Sequence, residues 1–418
     1  MQAIVISTGE ELLRGRILDT NAAFLATELE RQGFDMRRIV VVGDAPDHIR
    51  EELVRAAADS ALVVMTGGLG PTADDRMRDA IAAAVGRPLV EDADARRHVA
   101  ERIRSFGREP EPRQFTQALF PEGSEVFANP NGTACGFACR AGESWMVAMP
   151  GVPGEMRPMF HASVVPFIRR ALPTAECVQT AVVRLYPLPE SVADERIADM
   201  SGFGRNPSLG ITVSDGIISI SVRAHADDEG TARRLLDADV AVLRERFADL
   251  VFGAGEATLA EALAEQLARR QVSVAVAESL TGGLVSHMLV GVPGISRWLA
   301  GSVVAYSNEV KCAQLGVPPE LIQQHGAVSA EVAEAMARGI CRATGARLGM
   351  GTTGIAGPGG GSVRKPVGLA YTAVCLDGHV QVERHQYRGD RERIRDRAAK
   401  DVLNAARLTL LRGVESAR

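Results

Sequence analysis

Short apolar runs rich in Val and Ile at residues 3–7, 38–43 and 61–65 are bounded by glycine or polar residues, which predicts buried strands of a parallel sheet. Between them, Thr20 to Glu30 reads as a helix. Leu25 and Leu29 share a face with Phe24 beside them, Thr20 is an N-cap candidate and Gly33 a stop. Alternating strands and helices predict βαβ architecture. Around 163–175 the rhythm dissolves into VVPFIRRALPTAE. A strand (178–186), a helix (190–199), two strands joined by a tight Asp215-Gly216 turn and a long helix (227–247) follow. Beyond FGAGEA (252–257), Thr258 and Glu261 form a capping-box pattern, and βα alternation resumes with VSVAVA at 272–277. A strand pair about Asp377-Gly378 and an Arg-rich helix over 390–412 complete the pattern. Three domains are expected: an α/β domain over 1–170, a small α+β module without evident chemistry over 174–252, and a second α/β domain over 256–416.

The 418 residues suffice for two or three separate cores, and 46% hydrophobic with 24% charged residues describes a globular chain. A net charge of -5 offers no basic stripe to a nucleic-acid backbone, so direct nucleic-acid binding is not expected. The opening MQAIVISTGEE lacks a signal-peptide pattern and no apolar run reaches bilayer length, so a cytoplasmic location without membrane contact is expected. Cys135, Cys139, Cys177, Cys312, Cys341 and Cys375 are too sparse for a disulfide framework. Cys135 and Cys139 lack the companions of a zinc site and read as buried thiols. Among 47 basic residues only Lys311, Lys365 and Lys400 are lysine. Arginine serves solubility equally well but cannot act as a neutral amine, so a retained lysine points to amine chemistry or to surface survival.

Two segments carry candidate chemistry. TGGLGPTADD (66–75) follows the strand ALVVM and precedes a helical run, the place where open α/β sheets bind ligands. Gly67, Gly68 and Gly70 allow close approach of an anion, and Asp74 with Asp75 would tolerate a phosphate if a divalent cation stood between. The alternative is a tight turn with a decorated first helical turn. AESLTGG, ending at Gly283, sets Ser279 on a strand-to-helix turn. N–H groups of Thr281, Gly282 and Gly283 there would form a phosphate cradle or an oxyanion hole. Otherwise Ser279 is an N-cap. SVVAYSNEVK reads as the next strand and brings in Tyr306 and Lys311. His287 and His325 are isolated, so a serine with a lysine base is the acyl-transfer arrangement that remains. GTTGIAGPGGG (351–361) and VRKPVG (363–368) supply hydroxyls, amides and Lys365, or are turns.

GEELLRGRILDTN, TGGLGPTADD, NPNGTACGF and PGVPGEMRPMF, in this order, closely resemble the N-terminal domain of the CinA family, itself similar to the molybdopterin-binding fold. The resemblance implies a three-layer α/β domain that cleaves ADP-ribose to AMP and ribose 5-phosphate with a divalent metal (Mg, Mn or Co). Asp74, Asp75 and Asp19 would lie near the metal, with Asn21 and Glu155 as further candidates, and Gly67, Gly68 and Gly70 against the substrate. AESLTGG, VPGISRWLAGSVVAYSNEVK, GAVSAEVAEAMA, TGIAGPGGG and KPVG look like the family's C-terminal PncC-type domain. That likeness implies cofactor-free hydrolysis of nicotinamide mononucleotide to nicotinic acid mononucleotide and ammonia. Ser279 would be the nucleophile, Lys311 the base with Tyr306 assisting, and Thr353 a polar contact. Arg393 would meet phosphate or carboxylate, and Thr281, Gly282, Gly283 and Gly357 would line the substrate. Met77 replaces a frequent threonine, Cys135 a proline, Leu280 a cysteine and Gly301-Ser302 a Gly-Gly pair. A homodimer is implied. Rival readings are a nucleotide or molybdopterin binder without catalysis, or a partner in a competence or DNA-damage complex.

Overall fold

The Val/Ile runs form β1 (Gln2–Thr8), β2 (Asp35–Val42) and β3 (Leu62–Thr66), crossed over by α1 (Thr20–Arg31) and α2 (Pro46–Asp59). The computed structural model describes residues 1–173 and 177–413. The expected module start at 174 and the domain end at 414–416 lie outside the described residues. α3 (Met77–Val85) follows, and β4 (Glu125–Phe127), β5 (Gly136–Ala141) and β6 (Ser144–Met149) complete a sheet of order β2-β1-β3-β6-β5-β4. Alternation along the strands splits the core in two. Ile4, Ile6, Val63 and Met65 meet Ile49 and Leu53 of α2 and Ile81 of α3. Ala3, Val5, Leu62 and Val64 face Leu25 and Leu29 of α1 with Phe160 and Phe167. Helices on both faces of a mostly parallel sheet make the three layers that were expected. The α1 N-cap is Asp19 rather than Thr20, its Oδ1 accepting the Ala22 N–H at 2.9 Å.

β7 (Cys177–Leu185), β8 (Ser208–Ser214), β9 (Ile217–Ala226), α4 (Glu229–Phe247) and β10 (Val251–Ala254) build a four-stranded sheet of order β8-β9-β7-β10. Asp215 and Gly216 turn the β8-β9 hairpin with φ of 50° and 80°, as the Asp-Gly signal predicts.

α5 (Leu259–Arg270) opens on the predicted capping box. Thr258 Oγ1 accepts the Glu261 N–H at 3.2 Å and Glu261 Oε2 accepts the Thr258 N–H at 2.7 Å. Then come β11 (Val274–Glu278), α6 (Leu284–Val290), β12 (Leu299–Val304), α7 (Asn308–Leu315), α8 (Ala330–Thr344), β13 (Leu348–Gly354), β14 (Leu369–Leu376), β15 (His379–Gln386) and α9 (Arg391–Arg412). The sheet order is β12-β11-β13-β14-β15, and β12 and β13 both run parallel to β11. Connections leave β11 to one side and return on the other, so a crevice opens at its carboxyl end, where Ser279 follows. Val274, Val276, Leu348 and Met350 pack against Leu263 and Leu267 of α5 and Val402 and Leu403 of α9. Ala275 and Ala277 present a flatter face to Leu315, Val332, Met336 and Ile340.

SVVAYSNEVK is not one strand. β12 stops at Val304, Ser307 Oγ accepts the Val310 N–H at 3.3 Å as an N-cap, and Lys311 lies on α7. The chain forms two compact units, Met1–Gln179 with Ala224–Arg234, and Thr180–Arg223 with the remainder from Leu235. Among the described residues, no helix is long and apolar enough to cross a membrane.

Thr258→Ala removes the cap of α5 and is expected to cost about 1 kcal/mol. The midpoint of the thermal transition that includes this sheet should fall by roughly 2–4 °C in calorimetry.

Candidate functional site

At the end of β11, Glu278 is fully buried and its carboxylate collects four donors. Oε2 accepts the Gly283 and Val285 N–H groups at 2.9 and 3.1 Å, and Oε1 accepts the Ser286 N–H and hydroxyl at 2.9 and 2.5 Å. The N-terminus of α6 is thereby folded back over the strand, a charge-dipole arrangement that suits a carboxylate. Ser279 turns away from that anchor. Its N–H donates to the Thr352 carbonyl at 3.0 Å, and its side chain faces Lys311 with 3.1 Å between Oγ and Nζ.

Lys311 is 1% exposed and no carboxylate pairs with it among the described residues. Its Nζ also donates to the Ala305 and Tyr306 carbonyls at 2.8 and 3.2 Å. Burial lowers its pKa below the usual lysine range, with weaker opposing contributions from Cys312 and Glu309. A neutral amine fits the three contacts: two N–H bonds go to the carbonyls and the lone pair faces the serine hydroxyl. The arrangement can draw a proton from Ser279, as a nucleophile and base must.

The remaining predicted residues divide. Tyr306 contributes its backbone carbonyl to Lys311, while its phenol is exposed and accepts from Arg391 Nη2 at 3.1 Å. The Thr353 hydroxyl donates to the Ala327 carbonyl at 2.7 Å, so it fixes a neighbouring loop. Lys365 Nζ holds the same loop through the His325 and Val328 carbonyls. The expected row of free amides is shorter than predicted. The Gly283 N–H is taken by Glu278, and the Gly282 N–H closes a turn on the Ser279 carbonyl at 3.2 Å. Among the described hydrogen bonds, none uses the N–H of Leu280 or Thr281, the two amides that follow Ser279. Ser279 is not an N-cap, since α6 is capped at Gly283.

Arg393 is exposed, and its described hydrogen bond is a backbone one to Asp390. Arg391 and Arg395 reach the site instead. Arg391 bridges the Gly357 carbonyl at 2.7 Å and the Tyr306 hydroxyl, and Arg395 donates to the Thr281 carbonyl at 2.8 Å. The Thr281 and Thr352 hydroxyls share a hydrogen bond of 2.8 Å. Sequence reasoning missed Glu278, Thr352, Arg391 and Arg395. For the arginines a signal existed: residues four apart share a helix face, and a residue two from each points elsewhere. His287 and His325 are both at the surface.

In the first unit, the carboxyl ends of β1 and β3 flank a cleft of about 560 Å³ that Thr8, Asp19, Asn21, Gly67, Asp74, Asp75 and Glu155 help to line. Gly67 has φ 102°, and a Cβ there would meet the Thr8 carbonyl at 2.6 Å, so glycine is what lets the two strand ends come together. Its N–H goes to the Met149 carbonyl at 3.1 Å rather than toward a ligand. Buried Arg78 fixes the loop by donating to the Leu69 and Gly70 carbonyls at 2.6 and 2.8 Å. The Thr72 hydroxyl contacts both Asp74 and Asp75, and that bond holds the Asp74 carboxyl below its ordinary pKa. Asp19 caps α1 through Oδ1. Its Oδ2 is buried without a partner, as are Thr8 Oγ1 and Asn21 Oδ1. Asn21 Nδ2 donates to Gly151 O at 2.6 Å, and Glu155 Oε2 accepts from Asn129 Nδ2 at 2.6 Å. Among the described residues, no three His, Cys, Asp or Glu side chains gather as a metal cage. Cys135 and Cys139 are buried free thiols, raised to about 11 by that burial.

Sequence profiles match in three places: the CinA C-terminal domain over residues 256–410, a "probable molybdopterin binding domain" over 4–170, and the damage-inducible protein CinA KH domain over 180–253. A protein described as competence-damage inducible from Moorella thermoacetica is 41% identical over 403 residues, covering 96% of this chain and 97% of its own length. A CinA-like protein from Anaeromyxobacter sp. (strain K) is 39% identical over 414 residues, with 98% and 100% covered. Among solved structures, a CinA protein of unknown function from Thermoplasma acidophilum is 36% identical with a TM-score of 0.37, covering 39% of this chain and 96% of that one.

Glu278→Gln keeps the volume but loses acceptor capacity facing four donors. It is expected to destabilise the fold by about 1–3 kcal/mol for each donor left unpaired, read as a lower urea midpoint.

Proposed function

We propose, from the premise that the chain belongs to the CinA family, that its C-terminal domain hydrolyses the carboxamide of nicotinamide mononucleotide. The observation that carries this reading is the buried Ser279–Lys311 pair, 3.1 Å apart, with the amine desolvated and no carboxylate ion-paired to it among the described residues. Ser279 Oγ attacks the carboxamide carbon while its proton passes to Lys311 Nζ. The N–H groups of Leu280 and Thr281 receive the negative oxygen. Lys311 then returns the proton to the departing ammonia, and water, deprotonated by the same amine, releases nicotinic acid mononucleotide from the acyl-serine. The phosphate contact is assigned to Arg391 in place of Arg393, because Arg391 reaches the Gly357 carbonyl and the Tyr306 hydroxyl. This chemistry uses no cofactor.

For the N-terminal cleft the reading is cleavage of the ADP-ribose pyrophosphate. Asp74 and Asp75 would hold a divalent ion (Mg, Mn or Co) together with substrate oxygens, the usual mode for an ion bound by one or two carboxylates plus phosphates. Such an ion would neutralise the pyrophosphate and activate water. Asp19 Oδ2, Asn21 Oδ1 and Thr8 Oγ1, lacking partners, suit ribose hydroxyls better than the metal. Those same acceptors favour a second reading, nucleotide or pterin binding without cleavage.

Purified protein is expected to release ammonia from nicotinamide mononucleotide in the presence of chelator. Ser279→Ala and Lys311→Arg should each lower kcat by roughly 10²–10⁴-fold or more. The rate should rise with pH and reach its plateau below the usual lysine range, because only unprotonated Lys311 accepts the proton and burial lowers its pKa. No ammonia from folded parent protein would overturn the amidase reading. Asp74→Ala should abolish metal-dependent AMP release from ADP-ribose and leave ammonia release intact. Binding of ADP-ribose with no AMP formed by the parent would favour the second reading.

A further inference from the structure

Cys341 on α8 and Cys375 on β14 lie outside the site and have no part in its chemistry. Gly349 brings them together. It is the antiparallel partner of Cys375, so the two residues present the same face of the sheet, where opposed Cβ positions are about 4.5–5.5 Å apart. A Cβ on Gly349 would stand 2.5 Å from Cys341 Sγ. The Cys341 sulfur therefore occupies the place of the missing side chain, directly beside Cys375. Both cysteines belong to the lining of a cavity of about 340 Å³, together with Arg338, Arg342, Arg347 and Asp377. Cys341 is half-buried and Cys375 buried, and both are free thiols.

We propose that Cys341 and Cys375 form a redox-active dithiol that hydrogen peroxide, entering through the arginine-lined cavity, converts into a disulfide between α8 and β14. The polarity of the pair agrees. The neighbouring Cys341 thiol, the Gly378 N–H and the positive charge of Arg338 pull the Cys375 thiol below its ordinary range against its burial. The closeness of Cys375, with burial, pushes Cys341 up. Cys375 thiolate attacks a peroxide oxygen: an S–O bond forms, the O–O bond breaks, and hydroxide leaves to become water. Cys341, giving up its proton, then attacks the sulfenic sulfur, forming S–S and breaking S–O, and the departing hydroxide takes that proton. Two thiols lose two electrons and one peroxide becomes two waters. Cys135 and Cys139 are buried with thiols raised in pKa, and oxidise more slowly.

The test uses the full chain, reduced and then treated with one equivalent of hydrogen peroxide. Non-reducing peptide mapping is expected to find one linked pair containing Cys341 and Cys375, the intact mass lower by two hydrogens, and full recovery of both thiols with dithiothreitol. Cys341→Ser should leave Cys375 as a sulfenic acid that dimedone traps, and Cys139→Ser should leave the linkage intact. A different pairing, over-oxidation of either cysteine without a linkage, or unchanged thiols in the parent protein would overturn the proposal. The parent mapping decides alone if Cys341→Ser does not fold.

Discussion

The C-terminal site depends on a buried carboxylate that takes no part in the proposed chemistry. Glu278 ends a strand inside the core, where an ionised group is tolerated only if its oxygens are filled, and the first turn of α6 fills them with three N–H groups and a hydroxyl. That exchange satisfies two needs at once, since the amides at the start of a helix lack intrahelical partners. Its geometric result is a sharp reversal at residue 279, with the serine on the outer side of the bend. The Thr281–Thr352 hydroxyl pair and the Arg395 bond to the Thr281 carbonyl brace the bend from the neighbouring strand and the last helix.

Lys311 shows the complementary logic. Where both Glu278 oxygens are met by donors, Lys311 is taken out of water beside two carbonyls and a hydroxyl, so its charged form is disfavoured. One bend thus separates a carboxyl met by four donors from an amine whose charge is discouraged. The first unit uses similar means: buried Arg78 spends its guanidinium on two loop carbonyls, and the cleft walls keep acceptors without partners.

The fold was largely legible because strand positions alternate between two cores, and Val/Ile runs bounded by turn residues mark them. The Asp215-Gly216 and Asp377-Gly378 turns and the Thr258–Glu261 cap are local signals in which residues a few places apart settle the backbone. The pairing of Ser279 with Lys311 was legible, but the arginines around it were not. Arg391, Arg393 and Arg395 follow one another on a single helix, and Arg391 and Arg395 bond to loops 34 to 114 residues away, so residue type did not choose among them and only the shared phase of Arg391 and Arg395 could have. Lys311 was expected on a strand because SVVAYSNEVK was read as one continuous strand, and the Ser307 cap was the overlooked break. The glycines after Thr66 were read as room for an anion, whereas Gly67 also answers to Thr8, a neighbour in space and not in sequence.

All three lysines of the chain donate to backbone carbonyls: Lys311 inside the site, Lys365 to the loop beside it, and Lys400 to Asp215 at 2.9 Å. Surface charge is carried by arginine and acid, so Lys365 and Lys400 are free to act as structural clamps, while Lys311 is the amine of the proposed base. Reagents that couple to amines, and enzymes that acylate lysine, therefore find Lys365 as the most accessible of the three, and attaching anything there would release the carbonyls of His325 and Val328 at the edge of the proposed amidase site.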